Sequence, residues 1–352
     1  MSGYDYGNTR LRARRAGLLR GEQYAALAGR DLPALFAALA ATSYRPQAEA
    51  AGADLESLNR IVRDHMVTAL AGVSGFYRGR AGDVVAALLG RFDVHAVLTV
   101  LRARHHGTTP ADTACALLLP AGAVSAETAR RAAREPDLAA AARFFAARRL
   151  PDADTAAALL HAQRKYEIDG DLARVEETVA RSARARQATV LAAAGPEAEQ
   201  VTAAIRRETD DLNLLLALRL REAGADGTGA GDREAYLPGG LVPLPVLRAI
   251  RRAPARVDAV AAVSGPGHQA WRGPLADWSQ NGDLTVLHAG LEDQRLRAQL
   301  RALRGGDPLG AAPVLHYVLA HQAQARNLRL LGQAAAGAVS HDQARRQLVA
   351  PV

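Results

Sequence analysis

Leu32, Leu35, Phe36 and Leu39 fall at i, i+3, i+4 and i+7, the spacing that runs one apolar stripe along a helix. The pattern also recurs at long range. GAVSAETARRAAREP from Gly122 to Pro136 is matched by GLVPLPVLRAIRRAP from Gly240 to Pro254 and by GAVSHDQARRQLVAP from Gly337 to Pro351. Glycine and proline are 14 positions apart each time (136−122, 254−240, 351−337), and the eighth residue after the glycine is Arg130, Arg248 or Arg345. The third residue after each glycine, Ser125, Pro243 or Ser340, is a helix starter, and Ser340 with Gln343 has the spacing of a capping box. A short helix is predicted in every copy, with a left-handed glycine ending the helix before it and a proline stopping it.

The similarity extends upstream. RFDVHAVLTVLRARHHG and ETDDLNLLLALRLREAG end at Gly107 and Gly224, with Asp93 and Asp210 the same distance before them (107−93, 224−210). The third copy, HQAQARNLRLLGQAAAG, runs straight into its short helix and lacks the intervening loop. LESLNRIVRDH, ARVEETVARSA and GLEDQRLRAQL predict an opening helix for each unit. The expected fold class is all-α: a basic N-terminal helix over 1–21 and three similar helical units over 22–138, 139–254 and 255–352. Units of this size bury their stripes by stacking on one another. The glycine-rich stretch 224–232 reads as a flexible loop.

Composition sharpens this picture. Alanine, leucine and arginine dominate while aromatics make up 4%, so helix formers are abundant and strand formers scarce. The net charge of +8 sits almost wholly on arginine, Lys165 being the one lysine, which suits an acidic partner. Cys115 stands alone, which excludes an intramolecular disulfide or a cysteine cluster for metal. The N-terminus carries charges where a signal peptide needs an apolar core, and no apolar run is expected to reach the roughly 18–20 residues of a membrane span. The chain is expected to be soluble and cytoplasmic.

A search for chemistry finds little. A phosphate loop needs lysine after glycine, and Lys165 follows Arg164. Asp210 and Asp211 have no third carboxylate one turn on and read as a solvated face near a helix start. His105, His106, His316 and His321 lack the i, i+4 spacing of a ligand pair and read as surface or loop residues. Trp271 and Trp278 read as core, and Cys115, in ACALLL, as a small core residue whose thiolate is disfavoured. No catalytic, cofactor or metal site is predicted. The arginines of the short stretches, namely Arg130, Arg131, Arg134, Arg248, Arg251, Arg252, Arg345 and Arg346, are the candidate partner interface. Around an axis they would form a ring of positive charge; the simpler reading is solvated faces near helix C-termini.

The opening YGNTRLRARRAGLLRGEQYAALAGRDLPALFAALAATSY resembles the central-stalk component of V-type and A-type ATPases, called C in bacteria and archaea and d in eukaryotes. Leu18, Leu19, Tyr24, Thr42 and Tyr44 carry that resemblance, and Asn327, Arg329 and Gly337 carry it at the other end. Gln324 stands where the family usually has an acidic residue. The resemblance implies an all-α funnel of three domains with no catalytic site and no cofactor. It would link the central shaft, made of D-type and F-type subunits, to the proteolipid ring and transmit torque that couples ATP synthesis or hydrolysis to proton or sodium transport. It would lie at the cytoplasmic side of the plasma membrane as a peripheral part of a membrane complex, with the arginines facing the shaft. The alternative is a helical-repeat scaffold holding nucleic acid or an acidic protein through its arginines. Scattered acidic residues and few aromatics count against nucleic acid.

Overall fold

Aspartates punctuate the chain. Asp31, Asp54, Asp137, Asp152, Asp171 and Asp283 each sit just outside a helix and accept backbone N–H groups of its first turn. Each such cap is worth about 1 kcal/mol of helix stability. The computed structural model describes residues 3–49, 52–107, 110–116, 118–224, 235–263 and 266–349, and all regular structure among them is helical.

α1 (Asp5–Arg14) runs into a 3₁₀ turn and is followed by α2 (Gly21–Leu27), α3 (Leu32–Leu39), α4 (Arg45–Glu49) and α5 (Leu55–Leu70). The long α6 (Gly79–His106) leads to α7 (Ala111–Cys115), α8 (Ala126–Ala132), α9 (Leu138–Ala147) and α10 (Ala153–Asp169). A second pair of long helices, α11 (Leu172–Ala194) and α12 (Glu199–Glu222), precedes α13 (Leu244–Arg252), α14 (Arg256–Ala262) and α15 (Arg272–Asn281). The chain closes with α16 (Leu284–Ala302), α17 (Ala312–Ala335) and α18 (His341–Gln347). The predicted loop over 224–232 lies, after Gly224, outside the described residues.

Three main apolar cores organise these helices. The first holds α1 to α5, the start of α6, the turn between α11 and α12, the end of α16, and α17. The second takes the far half of α6, α8 to α10 and the start of α11. The third takes the far half of α12, α13 to α15 and the start of α16. α6, α11, α12 and α16 therefore each lend their two halves to two different cores, so no core can shift without bending a helix shared with another. α6 also corrects a sequence expectation, because it is long and apolar enough by length and composition to cross a membrane. Its apolar residues are used inside the fold instead: Val84, Val85, Leu88 and Leu89 in the first core, Val97, Val100 and Leu101 in the second.

The turns between the long helices meet at one end, beneath α1. Asn8 donates to the carbonyls of Pro308 and Gly310 in the α16–α17 turn at 3.1 and 3.0 Å and accepts from the Tyr77 hydroxyl at the start of α6. Gly7 has no room for a side chain there, since a Cβ would lie 2.3 Å from the Tyr77 ring.

The short helices form where the repeat predicts them. Ser125 accepts from Thr128 N, Ser340 accepts from Gln343 N, and Pro243 is the cap residue of α13. The glycines before them differ from expectation. Gly337 does adopt a left-handed turn, with φ of 77°, whereas Gly122 and Gly240 are needed because a Cβ would lie 2.1 Å from Asp93 Oδ2 and 2.4 Å from Asp210 Oδ1. The left-handed residues ending the preceding helices are Gly107 and Gly224, with φ of 69° and 62°.

Candidate partner interface

The repeated aspartates are polar clamps. Asp93, midway along α6, accepts from Ala123 N at 2.9 Å and Val124 N at 2.7 Å, just before α8. Asp210, on α12, accepts from Leu241 N at 2.7 Å and Val242 N at 3.0 Å, just before α13. Asn213, one turn on, exchanges both hydrogen bonds with the backbone of Leu237. Asp210 and Asp211 are thus buried in the middle of a helix, not on a solvated face at its start. The reason is that each carboxylate has buried N–H donors to satisfy, for Asp211 the Trp271 indole at 2.7 Å and Arg295 at 2.6 Å. Burial pushes the Asp211 carboxyl up to about 6 against the pull of Arg295, and it raises Asp93 against the pull of its backbone donors.

α17 carries the same device with one amide in place of the acid. Asn327 exchanges both hydrogen bonds with the backbone of Val349 at 2.9 Å. Gln324, one turn earlier, accepts from Leu19 N at 2.7 Å and donates to the Tyr44 hydroxyl. The helix that follows this third clamp is α2, at the other end of the chain. Gly17-Leu18-Leu19 before α2 is therefore the structural counterpart of Gly122-Ala123-Val124 and Gly240-Leu241-Val242, while α18 precedes the clamped residue Val349. By these hydrogen bonds α2 follows the third clamp in the way that α8 and α13 follow the first two. α18 still brings its charge to that corner, because Arg345 Nη2 lies 3.1 Å from the place a Cβ would take on Gly29, in the α2–α3 turn.

Leu19, Tyr24, Tyr44 and Asn327, which carried part of the family resemblance, meet here. Tyr44 bonds Gln324, and Tyr24 bonds Asn327. Burial raises both phenols far above their ordinary value. A carbonyl oxygen suffices to accept Leu19 N–H, so the glutamine keeps the clamp without burying a charge.

Between the cores lies a buried ionic knot that no sequence pattern announced. Glu208 of α12 accepts from Arg184 of α11 at 2.9 Å and from Arg91 of α6 at 3.4 Å. Arg91 also donates to Gln322 of α17, and Gln187 of α11 reaches the Ala87 carbonyl on α6. Four long helices are thereby tied at one point. Burial acts to raise Glu208, but Arg184, Arg91 and Arg295 outweigh it and hold the carboxyl down at about 2. Burial lowers Arg91 despite its carboxylate partner.

Beside the knot, an open cavity of about 1010 Å³ runs between α6, α11 and α12. Its walls mix small apolar residues, among them Ala86, Ala87, Gly90, Ala180, Ala183 and Val190, with many charged ones, including Arg80, Asp83, Arg102 and Arg186. That volume matches about two turns of a helix 10 Å across. Small side chains let another backbone approach closely. Of the candidate arginines, Arg130 and Arg131 of α8, Arg134 just after it, Arg252 of α13 and Arg345 and Arg346 of α18 are exposed, and Arg248 and Arg251 of α13 are half-buried. Cys115 is half-buried, and burial pushes its thiol up, in line with the sequence reading.

The chain matches the family model of the ATP synthase (C/AC39) subunit over residues 7–347. The C subunits of the V-type ATP synthases of two strains of Thermus thermophilus are each 28% identical to it over 348 residues, 99% of either chain. The corresponding V-type ATP synthase protein of Deinococcus radiodurans is 32% identical over 143 residues, 40% of either chain. Length, all-helical fold and this end-to-end match agree, and the chain belongs to the ATP synthase (C/AC39) subunit family.

Proposed function

We propose that this chain is the non-catalytic socket of a rotary V-type ATPase or ATP synthase. It joins a central shaft of D-type and F-type subunits to the proteolipid ring, on the cytoplasmic side of the membrane, as three similar helical units arranged as a funnel. The observation that carries this reading is the open cavity flanked by helices that each belong to two cores, in a chain similar along its whole length to the Thermus V-type ATP synthase proteins.

Torque transmission requires a part that takes a partner in and then resists shear. A cavity where alanines and glycines alternate with charged side chains admits a helical shaft end and offers it polar partners, and the knot around Glu208 fixes the helices that wall it. Basic corners at α8, at α13 and at α18 beside the α2–α3 turn then hold acidic residues of the shaft and set its rotational register. Charges of this kind contribute to on-rate and register more than to bulk affinity.

Reversing Arg130, Arg248 and Arg345 together to glutamate is expected to weaken capture of the purified shaft subunits by about tenfold or more, with helical content and melting temperature retained. Undiminished capture by a folded variant would remove the arginines from the interface.

A further inference from the structure

The end where the long-helix turns converge bears an exposed aromatic and basic patch that the shaft reading leaves unused. Tyr6 is 61% exposed on the outer face of α1, and Leu309 is 60% exposed in the α16–α17 turn that Asn8 holds. The Tyr6 and Phe76 rings meet edge to face, and the Arg10 guanidinium lies over both, 5.1 and 5.2 Å from their centroids. Arg14 covers the Phe76 ring from 4.7 Å while donating to the Ala69 and Ala71 carbonyls. From Asp5 to Gly17 the chain carries Arg10, Arg12, Arg14 and Arg15 against the one carboxylate of Asp5, and among the described residues none of these arginines is ion-paired.

We propose that this end rests on anionic lipid headgroups. The occupant is a lipid surface and not a groove-binding peptide because the patch is the tip of converging turns, with single side chains standing out of it. An aromatic ring with a polar edge, a single exposed leucine and guanidinium groups with no carboxylate partner are what a headgroup layer accommodates: rings and leucine at the acyl boundary, arginines among the phosphates. Each surface arginine close to an anionic membrane strengthens binding roughly fivefold, and the attraction falls away within a Debye length. The inference does not depend on the shaft reading, since it concerns the opposite use of the molecule and a different ligand.

The test is flotation of the full chain with vesicles of phosphatidylcholine containing phosphatidylglycerol, compared with phosphatidylcholine alone, at low and high salt. Binding is expected to the anionic vesicles only and to be lost as salt rises. Arg10→Gln with Arg12→Gln should weaken it by about 25-fold, and Tyr6→Ser with Leu309→Ser should weaken it further, all with unchanged circular dichroism. Equal binding to neutral vesicles, no binding to either, or unchanged binding by the folded variants would overturn the proposal. Retention on a detergent-solubilised proteolipid ring without retention on vesicles would overturn it too, by assigning the patch to a protein. The salt dependence of the unmodified chain decides the matter even where a variant fails to fold.

Discussion

Replacing Glu208 by alanine is expected to lower the stability of the chain by about 3–5 kcal/mol, because Arg91 and Arg184 would remain buried without a counter-charge. The side chains of all three are under 20% exposed, so water cannot take over the lost role cheaply. The energy resides in the mismatch more than in the pair, which makes a second variant informative. Changing Arg91 to methionine, Arg184 to methionine and Glu208 to leucine together should cost far less than the single alanine change. Urea denaturation monitored by circular dichroism measures both. A loss under about 1 kcal/mol for the single change would mean that the knot is hydrated and does not brace the long helices.

Acid is expected to destabilise the seam between α5 and α17 through three histidines. His316 and His321 lie buried on α17, not at the surface as their spacing suggested, because α17 is covered on nearly all sides as the central helix of the first core. His65 of α5 stacks on Tyr44 at 3.9 Å and faces the His321 ring at 6.0 Å, while Tyr317 meets His321 edge on. His65 Nδ1, His316 Nδ1 and His321 Nε2 are buried without a hydrogen-bond partner among the described residues. The charges facing His316 are those of Arg15 and Arg304, and His65 and His321 face each other. Burial, aided by those cations at His316 and by His65 at His321, lowers His65 and His316 to about 4 and His321 to about 3.

The unfolded chain therefore binds these protons first, below about pH 6.5. Stability held above that pH is lost as pH falls toward 4, by up to about 1.4 kcal/mol per pH unit for each histidine. Asp93, Asp211 and Asp293, whose carboxyls burial raises, take up protons earlier in the fold than in the unfolded chain and return part of the loss. The clean measurement is a difference. His65→Gln with His321→Gln should flatten the slope of unfolding free energy against pH between 6.5 and 4 by up to about 2.8 kcal/mol per unit. Parallel profiles would show that the rings find solvent or partners as they protonate.

Helix class, cap residues and the short helices at α8, α13 and α18 were legible in the sequence because they depend on local rules of spacing and capping. The equal placement of Asp93 and Asp210 was legible as a repeat but not as a clamp. Their donors lie about thirty residues away in the chain, and nothing in DDLNL reveals that its neighbours bury it. The third clamp was missed for a related reason. Its halves, Gln324 and Leu19, are at opposite ends of the chain, so a linear alignment paired α18 with α8 and α13 when the following helix in space is α2. Gly17-Leu18-Leu19 followed by a short helix and then Asp31 was the available signal. Arg91, Arg184 and Glu208 offered none, since single charged residues in long amphipathic helices look alike until their helices cross.

The most direct test of the account is to tag the chain in its host, solubilise membranes in mild detergent and identify what co-purifies. The socket reading predicts recovery of the catalytic headpiece, the shaft subunits and the proteolipid ring together in fixed ratio. Recovery of the chain from the soluble fraction alone, bare or with nucleic acid, would contradict it.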